Sequence, residues 1–414
     1  MEKSIWIVAA KRTPQGSFQG MLNAYSAPKL GSFAIRSTLE SIPISVDSID
    51  EVFMGCVLPA GCGQAPARQA ALGAQLPYSV GCTTINKVCG SGMKSVVLAY
   101  DLILSGSIQC AIAGGMESMT NAPYLLKEAR SGMRLGHKST DDHLFLDGLQ
   151  DAYDGELMGV YAQYTADKLH FTREQMDRWA TMSVTRALEA QQQQLFADEI
   201  APIKETSTAK ISTHTAQKSS QKIIDFDEHP TEISLDKIPH LRPAFSTTGS
   251  VTAANSSTIS DGAAALIVMD SNLARQQGLT PLAVIKGHAT HARKPSEFTL
   301  APVYAMEQLL SQLDWSVDEV DLWEINEAFA VVTQIAVQHF GLDTNKVNIK
   351  GGACALGHPI GASGARILVT LVHSLRQLKK LQSSVSNQPH DRVMRGIASL
   401  CIGGGEAIAV GIEV

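Results

Sequence analysis

Several absences narrow the reading of this 414-residue chain. Its seven cysteines are odd in number, irregularly spaced and never form a Cys-x-x-Cys pair. That pattern supports neither a zinc site nor a disulfide framework, and it suits reduced thiols in a reducing compartment. No uninterrupted apolar run approaches the roughly 18 residues of a membrane-spanning helix. The formal net charge is only -6, so bulk charge points to neither nucleic acid nor a membrane surface. The N-terminal Met1-Glu2-Lys3-Ser4 leads almost at once into a strand-like run, leaving no room for a signal or transit peptide. Ile412-Glu413-Val414 is not a peroxisomal address. A cytoplasmic protein that touches small molecules is the expectation.

What is present is an ordinary globular composition, 44% hydrophobic, in a chain long enough for two or three domains. The chain also repeats itself. Val46-Asp47-Ser48-Ile49-Asp50-Glu51-Val52-Phe53 resembles Trp315-Ser316-Val317-Asp318-Glu319-Val320-Asp321-Leu322. After each copy come a glycine-rich turn, a helix and an apolar strand. The turns hold Cys89 and His358. The second helix is expected over about 365–378, and the strands over 110–115 and 396–401. Alternating strands and helices predict an α/β fold of two similar halves. The boundaries read as 1–118, continued by 243–270, for the first half and 271–414 for the second. An inserted loop domain takes 119–242. Within it, Thr172 and Gln175 form a capping box that opens a helix running to about 193. The polar, Ser/Thr-rich stretch 204–222 reads as an exposed loop or hairpin.

Cys89 is the residue most suggestive of chemistry. It lies in Asn86-Lys87-Val88-Cys89-Gly90-Ser91-Gly92-Met93-Lys94, immediately before an apolar helix. Free N–H groups and the positive dipole end favour a thiolate there, which predicts a lowered thiol pKa and a nucleophile. Taken singly, the other candidates are ambiguous. His358 in its glycine loop could be a structural hydrogen-bonding group. Cys401 could be a core residue ending a strand. Asn326 reads as a helix N-cap, with Glu327 in the first turn. Cys56, Cys82, Cys110 and Cys354 read as packing.

Taken together, four segments are similar to those of the thiolases. They are the Cys89 segment, Asn326-Glu327-Ala328-Phe329-Ala330, the glycine-rich run from Gly351-Gly352-Ala353-Cys354 through Gly357-His358-Pro359 to Gly364, and Cys401-Ile402-Gly403-Gly404-Gly405. They stand in thiolase order, and the resemblance covers essentially the whole chain. It implies a five-layer αβαβα architecture. The Cys-Gly-Ser-Gly form resembles the acetoacetyl-CoA branch of that family. The implied activity is acetyl-CoA C-acetyltransferase, a reversible ping-pong Claisen condensation of two acetyl-CoA through an acetyl-Cys89 intermediate. A broader 3-ketoacyl-CoA thiolase of fatty-acid β-oxidation is the alternative.

The chemistry needs a nucleophile, a base acting alpha to a carbonyl, and stabilisers for oxyanions. The resemblance assigns these to Cys89 as nucleophile, His358 as its base, and Cys401 as the second acid/base. Asn326 would hold a water that forms one oxyanion hole with His358. The backbone N–H groups of Cys89 and Gly403 would form another. Ser257 would meet the pantetheine arm, Phe245 and Ala253 would line the tunnel, and Phe329 would pack near the thioester. Leu149 and Met158 would sit on the loop above it. Two cysteines and a histidine need no metal or cofactor, and coenzyme A thioesters are substrates. A homo-oligomer, dimer or tetramer, is implied, with 130–147 as a candidate tetramer-forming loop. Three positions depart from the family pattern: Leu157 where His is frequent, Thr231 where Arg often follows Asp227-Glu228-His229-Pro230, and Phe298-Thr299 in place of Met-Gly.

Overall fold

The computed structural model describes residues 4–205, 222–386 and 392–414. One large sheet is built from nine strands: β1 (Ile5–Arg12), β2 (Glu51–Gly55), β3 (Gly81–Ile85), β4 (Cys110–Ser118), β5 (Ser260–Asp270), β6 (Ala283–Ala292), β7 (Leu322–Ile325), β8 (Arg395–Ile402) and β9 (Glu406–Glu413). Their order is β7-β8-β9-β6-β1-β5-β4-β2-β3, with the short Gly16–Ser17 strand also paired to β5.

The order contains the repeat. In the first half β1 is antiparallel to β5 and β5 to β4, while β4, β2 and β3 are mutually parallel neighbours. In the second half β6 is antiparallel to β9 and β9 to β8, while β8 and β7 are parallel. A single parallel bridge from Trp323 to Val347 stands where the first half has β3. The two halves join where Ile5, Trp6 and Ile7 of β1 pair with Ile285, Val284 and Ala283 of β6.

Helices cover both faces. They are α1 (Ala27–Glu40), α2 (Pro66–Gly73), α3 (Ser91–Ser105), α4 (Met158–Lys168), α5 (Arg173–Gln192), α6 (Ala301–Leu313), α7 (Ala330–Phe340) and α8 (Ser363–Ser386). Side chains on a strand alternate between faces, and β1 shows what each face meets. Ile5 and Ile7 pack into a central core with Val96, Val97 and Ile103 of α3, Leu368, Leu371 and Leu375 of α8, and Leu400, Ile408 and Val410 of the second half. Trp6 and Val8 pack outward with Leu30, Ala34 and Ile35 of α1 and Ala67, Ala70 and Ala71 of α2. The outer face of the second half packs on Met306 and Leu309 of α6 and Val331 and Ile335 of α7. Each Leu, Ile or Val so buried contributes roughly 1.5–3 kcal/mol. The layers therefore run α1/α2, first sheet half, α3/α8, second sheet half, α6/α7. This is the five-layer αβαβα arrangement that the thiolase resemblance implies.

The window Val88–Ser105 is long and apolar enough to cross a membrane by composition alone. In the fold it is the central helix α3, packed between the two sheet halves.

The segment between β4 and β5 carries α4, α5 and several short elements. The capping box forms as expected: Thr172 Oγ1 accepts from Gln175 N at 3.2 Å and Gln175 Oε1 accepts from Thr172 N at 2.8 Å. The expected exposed stretch 204–222 falls mostly outside the described residues, between the paired short strands Ile203–Glu205 and Lys222–Ile224. Helix α8 is longer than the expected 365–378: it starts at Ser363 and runs on to Ser386, beyond Leu378, which still packs on the central core.

Candidate active site

The two central helices start at one place. A Cβ added to Gly92 would lie 2.8 Å from the Ala365 nitrogen, and one added to Gly364 would lie 2.5 Å from the Met93 nitrogen. Only glycine permits this approach of the α3 and α8 first turns. Two positive dipole ends and their free N–H groups are thus aimed at one region, which favours negative charge there.

The turn that carries Cys89 ends in a strained residue. Val88 has φ 45°, a left-handed conformation costly for a β-branched side chain. Its neighbours hold it. Asn86 Oδ1 accepts from Val88 N at 2.9 Å, Ser91 Oγ accepts from Lys87 N at 2.8 Å, and Ser91 Oγ donates to Val88 O at 2.6 Å. Lys87 in turn pairs with Glu406, tying the turn to the second half.

A cavity of about 560 Å3 opens over this turn. Its walls bring together Cys89, His358, Cys401 and Gly403 with Ser257, Phe245, Ala253, Phe329, Met158 and Leu149. Ten of the eleven sequence candidates therefore face one space. The exception is Asn326, which is buried behind the wall. It follows β7 directly and does not cap a helix: α7 begins later, with Phe329 at its N-cap. Glu327 is correspondingly not in a first helical turn. It is buried, and its carboxylate accepts from Trp179 Nε1 at 3.0 Å, Ser183 Oγ at 2.7 Å, Asn348 Nδ2 at 2.8 Å and Cys354 N at 3.1 Å. The tertiary partners of Glu327 hold the chain extended past the point where local signals would start the helix. The Asn326 amide has no hydrogen-bond partner among the described residues, on either its nitrogen or its oxygen.

The thiol of Cys89 is not held below its ordinary value, as the helix N-terminus had suggested. Burial pushes it up to about 11, and the backbone N–H groups of Gly403 and of Cys89 itself only partly oppose this. Those two N–H groups are the pair expected to form an oxyanion hole. Cys401 is pushed well above its ordinary value, first by burial and then by the neighbouring Cys89. His358 is driven down to about 3 by burial and by the charge of Arg366. The resting site is thus neutral throughout.

The orientation of His358 follows from its partners. The Ser363 hydroxyl donates to Pro359 O at 2.9 Å and lies 2.5 Å from His358 Nδ1. A hydroxyl has one proton, so both bonds form only when Nδ1 carries the ring proton. Nε2 is then a bare acceptor, and it has no protein partner among the described residues. Ser363 was quoted within the glycine-rich run but carried no role in the sequence. A hydroxyl five residues after the histidine, at a helix start, was the available signal.

Other placements differ from expectation. Met158 lies in the first turn of α4, not on a loop, while Leu149 closes the short Phe145–Leu149 turn. Cys82 is only half-buried, because β3 is an edge strand; Cys110 and Cys354 are fully buried. Cys56 is buried but also contacts Glu117 Oε1 at 3.6 Å. Of the three departures, Leu157 and Phe298 line the cavity. Phe298 and Phe245 each meet Phe329 edge-to-face, at 6.2 and 6.1 Å. Thr231 does not line it; its hydroxyl donates to Glu228 O at 2.7 Å on the protein surface.

Comparison with known proteins matches residues 5–272 to the model of the thiolase N-terminal domain and residues 279–414 to that of the thiolase C-terminal domain. The chain is 44% identical over 412 residues to acetyl-CoA acetyltransferase 1 of Arabidopsis thaliana, covering 99% of this chain and 94% of that one. It is 42% identical over 408 residues to acetyl-CoA acetyltransferase of Cupriavidus necator, covering 98% of each. It is 45% identical over 409 residues to acetyl-CoA acetyltransferase A, mitochondrial, of Xenopus laevis, covering 98% and 91%. Among solved structures, the Acat5 thiolase from Ascaris suum in complex with coenzyme A superposes with a TM-score of 0.89 at 37% identity, over 99% of this chain and 100% of that one.

Proposed function

Because the chain belongs to the thiolase family, we propose that it is an acetyl-CoA C-acetyltransferase. It condenses two acetyl-CoA to acetoacetyl-CoA and coenzyme A, and runs the same path backwards as thiolysis. The observation that carries the reading is that Cys89, His358, Cys401 and Gly403 line one cavity, with His358 Nε2 left without a protein partner among the described residues. Full-length relatives named acetyl-CoA acetyltransferase support it, as does the structural neighbour solved with coenzyme A.

The steps follow from the residues. Cys89 Sγ attacks the thioester carbonyl while its proton passes to His358 Nε2. The N–H groups of Cys89 and Gly403 donate to the developing oxyanion, and His358 returns the proton to the leaving coenzyme A thiol. Cys401 then removes a methyl proton from the second acetyl-CoA. The enolate oxygen accepts from a water held on the Asn326 amide; His358, assigned to the same hole by the resemblance, donates there only when Nε2 carries a proton. The resulting carbanion attacks the carbonyl of acetyl-Cys89, the C–S bond breaks, the expelled Cys89 thiolate takes the proton held by Cys401, and acetoacetyl-CoA leaves. Neutral resting groups suit this sequence, since charge appears only as the thioester is attacked. Ser257 meets the pantetheine arm, and Phe245, Ala253, Phe329, Met158, Leu149 and Leu157 form the apolar walls. The reading includes a cytoplasmic homo-oligomer, and the exposed apolar side chains of Met133 and Leu135 support assembly through the 130–147 segment.

Thiolysis by the purified protein, comparing acetoacetyl-CoA with longer 3-ketoacyl-CoA substrates, tests the reading. Activity largely confined to acetoacetyl-CoA is expected, with Cys89→Ser inactive and Cys401→Ser still forming an acetyl adduct on Cys89. Equal or faster turnover of long chains would instead establish the broader β-oxidation enzyme.

A further inference from the structure

A buried carboxylate outside the roles above lies behind the catalytic histidine. Glu117, near the end of β4, is fully buried and forms no salt bridge among the described residues. Its Oε2 accepts from Gly361 N at 2.8 Å and from Val57 N at 2.9 Å, while Oε1 accepts from Leu58 N at 3.1 Å. One carboxylate thus joins two loops from different halves of the fold. The first is 56–58, which follows β2. The second is 358–361, which contributes His358 and Ile360 to the cavity wall. The approach is tight: a Cβ on Gly361 would lie 2.6 Å from Glu117 Oε2.

We infer that Glu117 is a positioning residue for the proposed reaction: its ionised carboxylate anchors the Pro359–Gly361 turn and so fixes the reach of His358 Nε2 toward the cavity. The inference rests on the catalytic role proposed for His358. Ser363 sets the ring's tautomer from one side, and Glu117 sets the position of the backbone from the other. Charge-assisted bonds are roughly twice as strong as neutral ones. Protonation of Glu117 therefore weakens all three anchors together.

The surroundings of Glu117 make its titration distinguishable. Burial raises the carboxyl to about 7, against the three backbone N–H groups and Cys56, which lower it. The groups around it are few. Cys56 comes from the loop after β2, with Cys62 beyond it. Across Ala60 stands the His143–Asp147 pair. On β5, Asp261 adjoins the register partner Gly262 and bonds Thr120 N. From the α8 side comes His358, neutral above about 3. A loss of rate as pH falls through neutrality therefore does not report His358, and because Cys62 also lies near 7, it is the disappearance of the limb in Glu117→Gln that assigns it to Glu117.

The test is the rate of Cys89 acetylation by acetyl-CoA in a single turnover, followed across pH. For the wild type, a fall of about tenfold per pH unit is expected below roughly pH 7. Glu117→Gln must turn its NH2 toward either Leu58 N or the Gly361 and Val57 pair, donor against donor. It should lower the plateau rate by about 10- to 100-fold, the range for a misplaced catalytic group. KM should stay within about twofold and the neutral limb should vanish, and Glu117→Asp should restore part of the rate and the limb. A limb unchanged in Glu117→Gln would overturn the inference. If that variant does not fold, the wild-type profile decides: a flat rate down to about pH 5 overturns it. No adduct on Cys89 at any pH would instead sink the proposed function, while an adduct formed without the limb sinks only the role of Glu117.

Discussion

Replacing Ser363 by alanine isolates what one hydroxyl does for the base. In the native site Ser363 Oγ accepts from His358 Nδ1 at 2.5 Å while donating to Pro359 O at 2.9 Å. The variant leaves a buried Nδ1–H without an acceptor and frees the imidazole to place its proton on Nε2, where it would block proton transfer from Cys89. Leaving a buried donor unsatisfied costs about 1–3 kcal/mol. If that cost falls on the productive tautomer, acetylation of Cys89 slows by roughly 5- to 150-fold. Acetyl-CoA binding involves other walls of the cavity and should change less than about twofold, so the loss belongs in kcat. Rapid quenching followed by mass measurement of the acetylated protein gives the rate directly, with thermal melting as the control for folding. An acetylation rate within about twofold of wild type, in a protein that melts normally, would refute the tautomer argument.

Two further outcomes follow from buried titratable groups. Burial raises Glu324 to about 8 from 4.5, although Arg366 pulls it down. The folded state therefore holds a proton that the unfolded chain releases, and stability should fall as pH rises between those values and then level off. Glu324→Gln should flatten the decline in Tm across that window, and an unchanged slope would show that Glu324 is not its source. Cys62 is half-buried, and a hydrogen bond from Cys56 lowers it to about 7. Iodoacetamide near neutral pH should label Cys62 well before the buried Cys56, Cys110 and Cys354, and peptide mapping that found Cys110 or Cys354 labelled first would contradict this.

How much was legible in advance depended on how local each feature is. The duplicated strand–turn–helix pattern announced two similar halves, and the capping box at Thr172 formed where it was read. Cys89, His358 and Cys401 stood out because glycine turns and short motifs are recorded in consecutive residues. Asn326 taken singly resembles a helix cap because its immediate neighbours look like one, and only the joint motif pattern gives it a site role. The partners that keep it out of the helix, Trp179, Ser183 and Asn348 around Glu327, lie far away along the chain. Glu117 carries no mark in the sequence of what it will touch, and Ser363 carries only its spacing from His358 at a helix start.

The sequence by itself determined the α/β class and the order of the halves and marked Cys89 as a candidate nucleophile, since periodicity, turns and motifs are properties of neighbouring residues; the role of His358 as base came with the resemblance of four motifs to the thiolases. Only the tertiary structure decided the electrostatic state of the site. A helix N-terminus alone would lower the Cys89 thiol, but desolvation depends on how much protein closes over the group. Here the protein packed around the turn desolvates the sulfur enough for burial to win.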